Sequence, residues 1–372
     1  MPEPALVLKR TNQSYLFARD LLIWFSHNAR TMPWRVLKGR PNPYHVWISE
    51  IMLQQTTVAT VIPRFERWLK VFPSITCLAK ADEQSVLKQW QGLGYYARAR
   101  NLLKCAVILI NENSGRLPET FQELGKLPGF GPYTSAAVAS IAFGVPIPLI
   151  DANVRRVMMR LLAIDAPASS SYDKEILTEL RLHIPDTDPG HFNQALMELG
   201  ALVCRSKEPC CNQCPVRKYC LAYKRGIQEI IPRPVLRSIK EIDAVIGIIE
   251  HKGRIFIQQR PLKGLLSAMW EFPGGKIEKN DASCRNALKR EILEETGLTI
   301  KVGKSLGTVT HSYTQFRVKL SAFVCTLDLE SEMKPAQKSL WVKPDQLDKY
   351  PMPSGSAKVL DKYLSLRNTS YA

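Results

Sequence analysis

Four cysteines lie within one short segment, and thiolates are strong ligands of soft metals. Cys204, Cys211, Cys214 and Cys220 are separated by six, two and five residues. So short a loop suits disulfide geometry poorly, but it can enclose a metal centre. A zinc ion or an iron–sulfur cluster would accept this donor set, although zinc sites usually show two compact Cys-x-x-Cys pairs. Cys210 stands beside the second cysteine, so a ligand set displaced by one residue is an alternative.

Two carboxylates stand in contexts that could adjust their protonation. Glu50 lies in the apolar stretch VWISEIML, where loss of solvent would raise its pKa and make it a proton donor. The alternative is a solvated glutamate at a helix start, where negative charge is favourable. Asp151 comes directly before ANVRRV and is a preferred residue type for a helix N-cap. We expect this carboxylate to remain ionised.

The charge of the chain favours a polyanionic partner. The formal net charge is +17, and residues 241–372 contribute +5 of it, which leaves +12 on residues 1–240. This asymmetry predicts nucleic-acid binding by the first region, with a merely soluble basic protein as the alternative. No apolar run would span a bilayer, and the start MPEPALVLKRTNQSY lacks the apolar core of a signal peptide. An odd number of cysteines also favours a reducing compartment, so we expect an intracellular protein without membrane attachment.

The periodicity of apolar residues changes along the chain. Residues 1–228 are predicted to be helical, residues 229–241 to form a linker, and residues 242–365 to form an α/β domain. The predicted helices cover Tyr15–Phe25, Val46–Phe72, Asn101–Ile110 and Val154–Leu162, and in the second domain Asp281–Thr296. The predicted strands are Ala244–Glu250, Arg254–Gln259, Thr308–Val309, Val318–Val324 and Leu340–Val342.

A glycine turn between two helical stretches is typical of backbone recognition. In Leu127-Pro-Gly-Phe-Gly131, Gly129 and Gly131 lead into the helix predicted at Tyr133–Phe143 and would let N–H groups approach a phosphate. Together with IDANVRRV and the cysteine loop, this turn resembles the helix-hairpin-helix base-excision DNA glycosylases over most of residues 10–225. The resemblance implies an all-α glycosylase region with a [4Fe-4S] cluster on Cys204, Cys211, Cys214 and Cys220.

The segment from Trp47 to Thr57, WISEIMLQQTT, is similar to that of the MutY-type adenine glycosylases. This resemblance implies that Glu50 is the general acid, with Asp151 beside the sugar. Relatives that also cut the backbone carry a lysine where this chain has Tyr133. Without that amine no Schiff base forms, so we expect a monofunctional glycosylase in which Tyr133 assists.

The same resemblance assigns residues to the substrate. Gln55 matches a residue that fills the space left by the extruded base, and Leu53 and Tyr95 match residues that pack around the opposing strand. Since Arg98 and Arg100 follow Tyr95, we expect stacking and phosphate contact there. The remaining predicted substrate contacts are Arg35 and Glu198 in the adenine pocket, and Asn153, Gly129 and Gly131. Glu198 could instead lie on an exposed face of a core helix.

The second domain resembles a Nudix hydrolase. Arg290-Glu-Ile-Leu-Glu-Glu-Thr-Gly-Leu298 is close to the Nudix helix, and Glu291, Glu294 and Glu295 could share one face and hold Mg²⁺. Eight residues instead of seven precede Arg290 after Asp281, and the acid is shorter than the usual glutamate. We therefore expect a binding scaffold and not a pyrophosphatase. Tyr313 and Thr314 match a turn that recognises 8-oxoguanine in MutY.

The sequence thus predicts a monomeric, multidomain enzyme that removes adenine paired with 8-oxoguanine or guanine in double-stranded DNA. Its location would be the cytoplasm in a bacterium, or the nucleus or mitochondrion in a eukaryote. The alternatives are a thymine-mismatch glycosylase, an endonuclease III-like lyase, a nucleotide pyrophosphatase, and a DNA-binding protein without catalysis.

Overall fold

A computed structural model describes residues 12–235, 240–261, 266–313, 316–328 and 337–369. Contacts between Cα atoms divide the chain into two units. The first unit consists of residues 1–80 and 104–236, and the second of residues 81–103 and 237–372. The short internal segment 81–103 therefore belongs with the carboxy-terminal half of the chain.

The first half of the chain folds into helices, as its apolar periodicity predicts. They are α1 (Asn12–Asn28), α2 (Pro43–Leu53), α3 (Val58–Val71), α4 (Ile75–Ala79), α5 (Glu83–Gln89), α6 (Ala97–Glu112), α7 (Phe121–Leu124), α8 (Pro132–Phe143), α9 (Ala152–Leu161), α10 (Asp173–His183), α11 (Pro189–Leu202) and α12 (Leu221–Lys224). Apolar side chains of α1, α8, α9, α10 and α11 form one core. Most of α2 is buried, which is unusual for a helix of eleven residues.

The second unit contains a mixed sheet with a helix on each face. The strands are β1 (Lys240–His251), β2 (Arg254–Gln259), β3 (Trp270–Glu271), β4 (Ile300–Tyr313), β5 (Phe316–Leu327) and β6 (Ser339–Val342), and the helices are α13 (Cys284–Thr296) and α14 (Ser354–Thr369). Their order is β3-β2-β1-β5-β4, with β6 also pairing with β2. The β1–β5 pair is parallel, and the other pairs are antiparallel. Leu288 and Ile292 of α13 pack into one core, and Val359 and Tyr363 of α14 into the other.

Several predicted boundaries differ from the observed ones; the predicted strand Thr308–Val309, for example, is part of the longer β4. The predicted helix Val46–Phe72 is two helices, because Gln55 adopts a left-handed φ of 59° and Thr57 caps a new helix. In the second unit, α13 begins after Ser283 and not at Asp281, since the Ser283 side chain accepts a hydrogen bond from the Asn286 N–H. Within the described residues, no helix combines the length and apolar character needed to cross a membrane.

Candidate active site

Two helices of the first unit bring a carboxyl and a phenol together. Glu50, in α2, is only 5% exposed. Tyr133, near the start of α8, donates a hydrogen bond of 2.5 Å from its hydroxyl to Glu50 Oε2. Burial raises the pKa of Glu50 to about 7. Burial also raises the pKa of Tyr133 well above its ordinary value, so the phenol remains the donor.

Asp151 lies close enough to influence both groups. It caps α9 by accepting a hydrogen bond of 2.6 Å from the Val154 N–H, and Asn153 Nδ2 donates to its second oxygen at 3.1 Å. Burial raises the pKa of Asp151, while these hydrogen bonds oppose that rise. Its negative charge in turn raises the pKa of Glu50. The helix cap predicted at Asp151 is confirmed.

The predicted hairpin packs on the helix that carries Glu50. Gly129 has a φ of 83°, which only glycine adopts without strain, and both Gly129 and Gly131 are exposed. Between them, Phe130 is buried and its ring stacks on Trp47 with centroids 5.7 Å apart. The hairpin thus leaves its backbone exposed while its side chain anchors it to α2.

The segment after Glu50 presents a polar residue to solvent. Helix α2 ends at Leu53, which is half-buried, and Gln54 Nε2 donates to Thr134 Oγ1 of α8 at 3.1 Å. Gln55 follows in the left-handed conformation and is exposed. An exposed non-glycine residue in this region stores backbone strain, which recurs at functional sites.

Glu198 does not lie on an exposed helix face, because it is 2% exposed and carries a buried ion-pair network. Its two oxygens accept hydrogen bonds from the side chains of Arg30 and Arg35 at 2.7 to 3.2 Å. Burial raises the pKa of Glu198, but the two arginines outweigh burial and the net shift is downward. The remaining Arg35 donors contact Gln194 Oε1 and the Arg30 carbonyl. Arg30 and Gln194 were not singled out from the sequence, which offers no periodic signal for them.

The arginines after Tyr95 bind acceptors within the protein. The ring of Tyr95 is exposed, but Arg98 binds the carbonyls of Leu93 and Gly94 at 2.9 and 3.0 Å. Arg100 forms an ion pair with Glu83 and also binds Ser267. Both guanidinium groups thus have acceptors within the protein, and their contact with phosphate stays a prediction.

The four predicted ligand cysteines line one cavity. Cys204, Cys211, Cys214 and Cys220 all face it, together with Arg160 and Gln228 among others. Cys210 is not among the lining residues, and its thiol instead accepts from Arg205 at 3.0 Å. Burial raises the pKa of the Cys214 thiol to about 12 and also raises those of Cys211 and Cys220.

Two arginines of α9 contact the first cysteine, and sequence reasoning missed both. Arg160 is 1% exposed and donates to Cys204 Sγ at 3.2 Å and to three backbone carbonyls. Arg156 donates to the Cys204 carbonyl at 2.9 Å and to Asn153 Oδ1 at 3.0 Å. Their spacing of four residues, on a helix with an apolar stripe, was the available signal. Across the described residues, no three His, Cys, Asp or Glu side chains are arranged to hold a metal ion.

The acids of the Nudix-like helix are engaged by protein donors. Arg290 binds both oxygens of Asp281 at 3.1 and 2.9 Å, so the extra residue before Arg290 does not separate this pair. Arg290 also contacts Glu291 and Glu294. Glu295 accepts from Gln258 Nε2 at 2.7 Å and from the Gly274 N–H.

The predicted base-recognition turn lies largely beyond what the structure describes. Tyr313 ends β4 and pairs in register with Phe316 of β5. Thr314, and Gln315 after it, are outside the described residues.

The comparisons with known proteins agree with both halves of this architecture. Residues 48–182 match the family described as HhH-GPD superfamily base excision DNA repair protein, and residues 244–362 match the NUDIX domain. A solved structure of a thermostable thymine-DNA glycosylase is 28% identical, with a TM-score of 0.51, and covers 58% of this chain and all of its own. The class is therefore a base-excision DNA glycosylase region joined to a Nudix-like domain.

Matches over nearly the whole chain define the family within this class. An adenine DNA glycosylase of Rattus norvegicus is 35% identical, and the match covers 87% of this chain and 72% of the relative. An adenine DNA glycosylase of Buchnera aphidicola is 31% identical and covers 93% of this chain and 96% of its own. The chain belongs to the adenine DNA glycosylase family, so the predicted fold class and family are confirmed.

Proposed function

We propose that this protein is a monofunctional glycosylase that removes adenine paired with 8-oxoguanine or guanine and leaves an abasic site. The observation that carries this proposal is the buried Glu50, bonded to Tyr133 at 2.5 Å. With a pKa raised to about 7 by burial, Glu50 has a large protonated fraction at neutral pH. A carboxyl in that state can donate a proton, which an ordinary solvated glutamate cannot do efficiently.

The reaction uses the two carboxyls in different roles. Glu50 gives its proton to N7 of an adenine flipped out of the duplex, and the N-glycosidic bond then breaks with its electron pair leaving on the base. Asp151, held at the α9 N-terminus, stabilises the positive charge that develops on the sugar. Water adds to C1′, and the ionised Glu50 takes the proton that this water loses. The Tyr133 hydroxyl fixes the orientation of Glu50 throughout.

The residue at position 133 limits the chemistry to base removal. A lyase needs an amine to attack C1′, and Tyr133 supplies a phenol that burial keeps protonated. We therefore expect no strand cleavage by the protein itself. Asn153, Arg35 and Glu198 would organise the pocket, while Leu53, Gln55, Tyr95, Gly129 and Gly131 would contact the duplex.

The donor set of the cysteine-lined cavity is the one that a [4Fe-4S] cluster takes. Four cysteine side chains line it, and thiolates are the usual ligands of iron in such clusters. Cys204, Cys211, Cys214 and Cys220 would be the ligands, with Arg160 as a nearby positive charge. When bound, the cluster would crosslink the loop after α11 and so order it.

The second unit would recognise the base opposite adenine. Tyr313 and Thr314 are the proposed contacts to 8-oxoguanine. Because each acid of the Nudix-like helix has a cationic or amide partner in the protein, the arrangement favours a binding scaffold over Mg²⁺-dependent hydrolysis.

Single-turnover incubation with defined duplexes tests this function. The substrates carry adenine opposite 8-oxoguanine, adenine opposite guanine, or thymine opposite guanine, and breaks are scored before and after hot alkali. We expect breaks in the adenine strand after alkali only. Excision of thymine alone would establish the other activity seen in the fold relatives, and breaks without alkali would show a lyase.

A further inference from the structure

The turn before α6 has an unusual backbone. Gly92, Gly94 and Tyr95 have φ values of 87°, 69° and 48°. The two glycines adopt such angles freely, but a tyrosine in this conformation is strained. The Tyr95 side chain is 45% exposed, so burial of its ring contributes little to offset that strain.

Arg98 contacts this turn from several directions. One of its nitrogens, Nη2, donates to the Leu93 and Gly94 carbonyls, and its backbone N–H donates to the Tyr95 carbonyl at 2.9 Å. Its guanidinium carbon lies 5.2 Å from the Trp90 ring centroid and 5.6 Å from that of Tyr95. The guanidinium therefore contacts both the strained backbone and the exposed ring.

Trp90 packs against Arg98 and also binds the same backbone turn. The Trp90 side chain is fully buried, and its Nε1 donates to the Gly94 carbonyl at 3.0 Å. Burial lowers the pKa of Arg98 to about 10, which still leaves it charged at neutral pH. A planar cation with fixed donors can bind two carbonyls and stack on rings at once, which a lysine ammonium cannot do.

We propose that Arg98 is a positioning residue that holds the turn 92–95 so that the exposed ring of Tyr95 forms a ready platform for a DNA base. The proposal deepens the proposed function and rests on it. An aromatic platform contributes about 1–3 kcal/mol to binding one base. A platform that is already ordered avoids the entropic cost of ordering it on binding.

A double-mutant cycle tests whether Arg98 acts through Tyr95. The variants are Arg98→Met, Tyr95→Ala and the double substitution, with Arg254→Met of β2 as the control. The measurement is the Kd for a duplex that carries non-cleavable 2′-fluoro-deoxyadenosine opposite 8-oxoguanine. We expect each single variant to raise Kd by about 5- to 150-fold, the range that corresponds to one stacked base. The double variant should be no worse than Tyr95→Ala, and Arg254→Met should match the wild type.

If the rise in Kd of the double variant equals the product of the two single rises, the proposal is overturned. Independent roles add in free energy and so multiply in Kd. Arg98→Lys keeps the charge without the planar fork, and a wild-type Kd in that variant would also overturn it. It serves as the decisive variant if Arg98→Met fails to fold.

Hydrogen exchange of the free protein separates this proposal from the proposed function. In Arg98→Lys we expect faster exchange at the amides of residues 92–96, with unchanged exchange in α8. Unchanged exchange throughout would contradict the positioning role. If the wild type removes no adenine, the proposed function fails, while faster exchange at these amides would still support the role of Arg98 in ordering the turn.

Discussion

Glu50 is a carboxyl whose neutral form is favoured by its surroundings. It is buried in α2 beside the negative charge of Asp151, and one tyrosine hydroxyl donates to it. Its pKa of about 7 lies above the ordinary value of 4.5, so the folded protein binds this proton more tightly than the unfolded chain does. The contribution of this proton to stability is complete below pH 4.5 and is lost as the pH rises through 7.

Glu50→Gln should therefore stabilise the protein at high pH. A neutral glutamine has no charge to bury, so at pH 8 the variant should exceed the wild type by up to about 3 kcal/mol. At pH 4.5 the two should be nearly equal. Thermal unfolding of both proteins between pH 4.5 and 8 measures the difference. A constant gap across this range would contradict the raised pKa.

At the scale of elements, a buried ion pair connects the loop after α1 to α11. Glu198 of α11 binds Arg30 and Arg35, whose side chains are 39% and 7% exposed. Removing the carboxylate leaves a buried cation without its partner, which typically costs 3–5 kcal/mol.

We expect Glu198→Ala to lower the free energy of unfolding by about that amount. The matched control is Asp165→Ala, since the Asp165–Arg233 pair is exposed at 44% and 56%. An exposed pair is screened by solvent and contributes little to stability. Denaturant or thermal unfolding of the two variants makes the comparison, and equal losses would refute the difference in burial.

The cysteine loop supplies a prediction with its own control. Cys211 lines the cavity and Cys210 does not. Cys211→Ser should lose iron and visible absorbance, whereas Cys210→Ser should retain both. Iron analysis and absorption spectra of the purified proteins decide this, and the reverse outcome would move the ligand set by one residue.

The periodicity of apolar residues predicted most helices and strands, because the apolar face of an element is the face that becomes buried. Periodicity could not predict the break at Gln55, where the neighbouring Gln54 binds Thr134 of α8, a residue distant in the sequence. The catalytic candidates followed from motifs. The roles of Arg30 and Arg98 could not be predicted from motifs, because they depend on acceptors that only the folded chain places near them. From the sequence alone, an arginine near a tyrosine is as compatible with contact to nucleic acid as with a bond to the protein backbone.

At the scale of the whole molecule, the chain forms two compact units. Contacts within the second unit join the segment 81–103 to the Nudix-like sheet, through Arg100 with Ser267 and Trp270 with Gln84. Tyr95 and Tyr313 therefore belong to one compact unit. Both are proposed contacts to the strand opposite adenine, so we expect this unit to recognise that strand.

The full protein should not hydrolyse 8-oxo-dGTP in the presence of Mg²⁺. Arg290 and Gln258 already bind the carboxylates that would have to coordinate a metal. Pyrophosphate release from the wild type and from Glu291→Gln provides the measurement. Mg²⁺-dependent release that disappears in Glu291→Gln would show a working pyrophosphatase.

The most direct test of the central claim is the pH dependence of single-turnover adenine excision. If Glu50 is the proton donor, the wild-type rate should fall about tenfold per pH unit above pH 7, following loss of its proton. Glu50→Gln should be slower by about 10²–10⁴-fold and should lack this dependence. A Glu50→Gln rate within tenfold of the wild type, with the same pH profile, would show that another group delivers the proton.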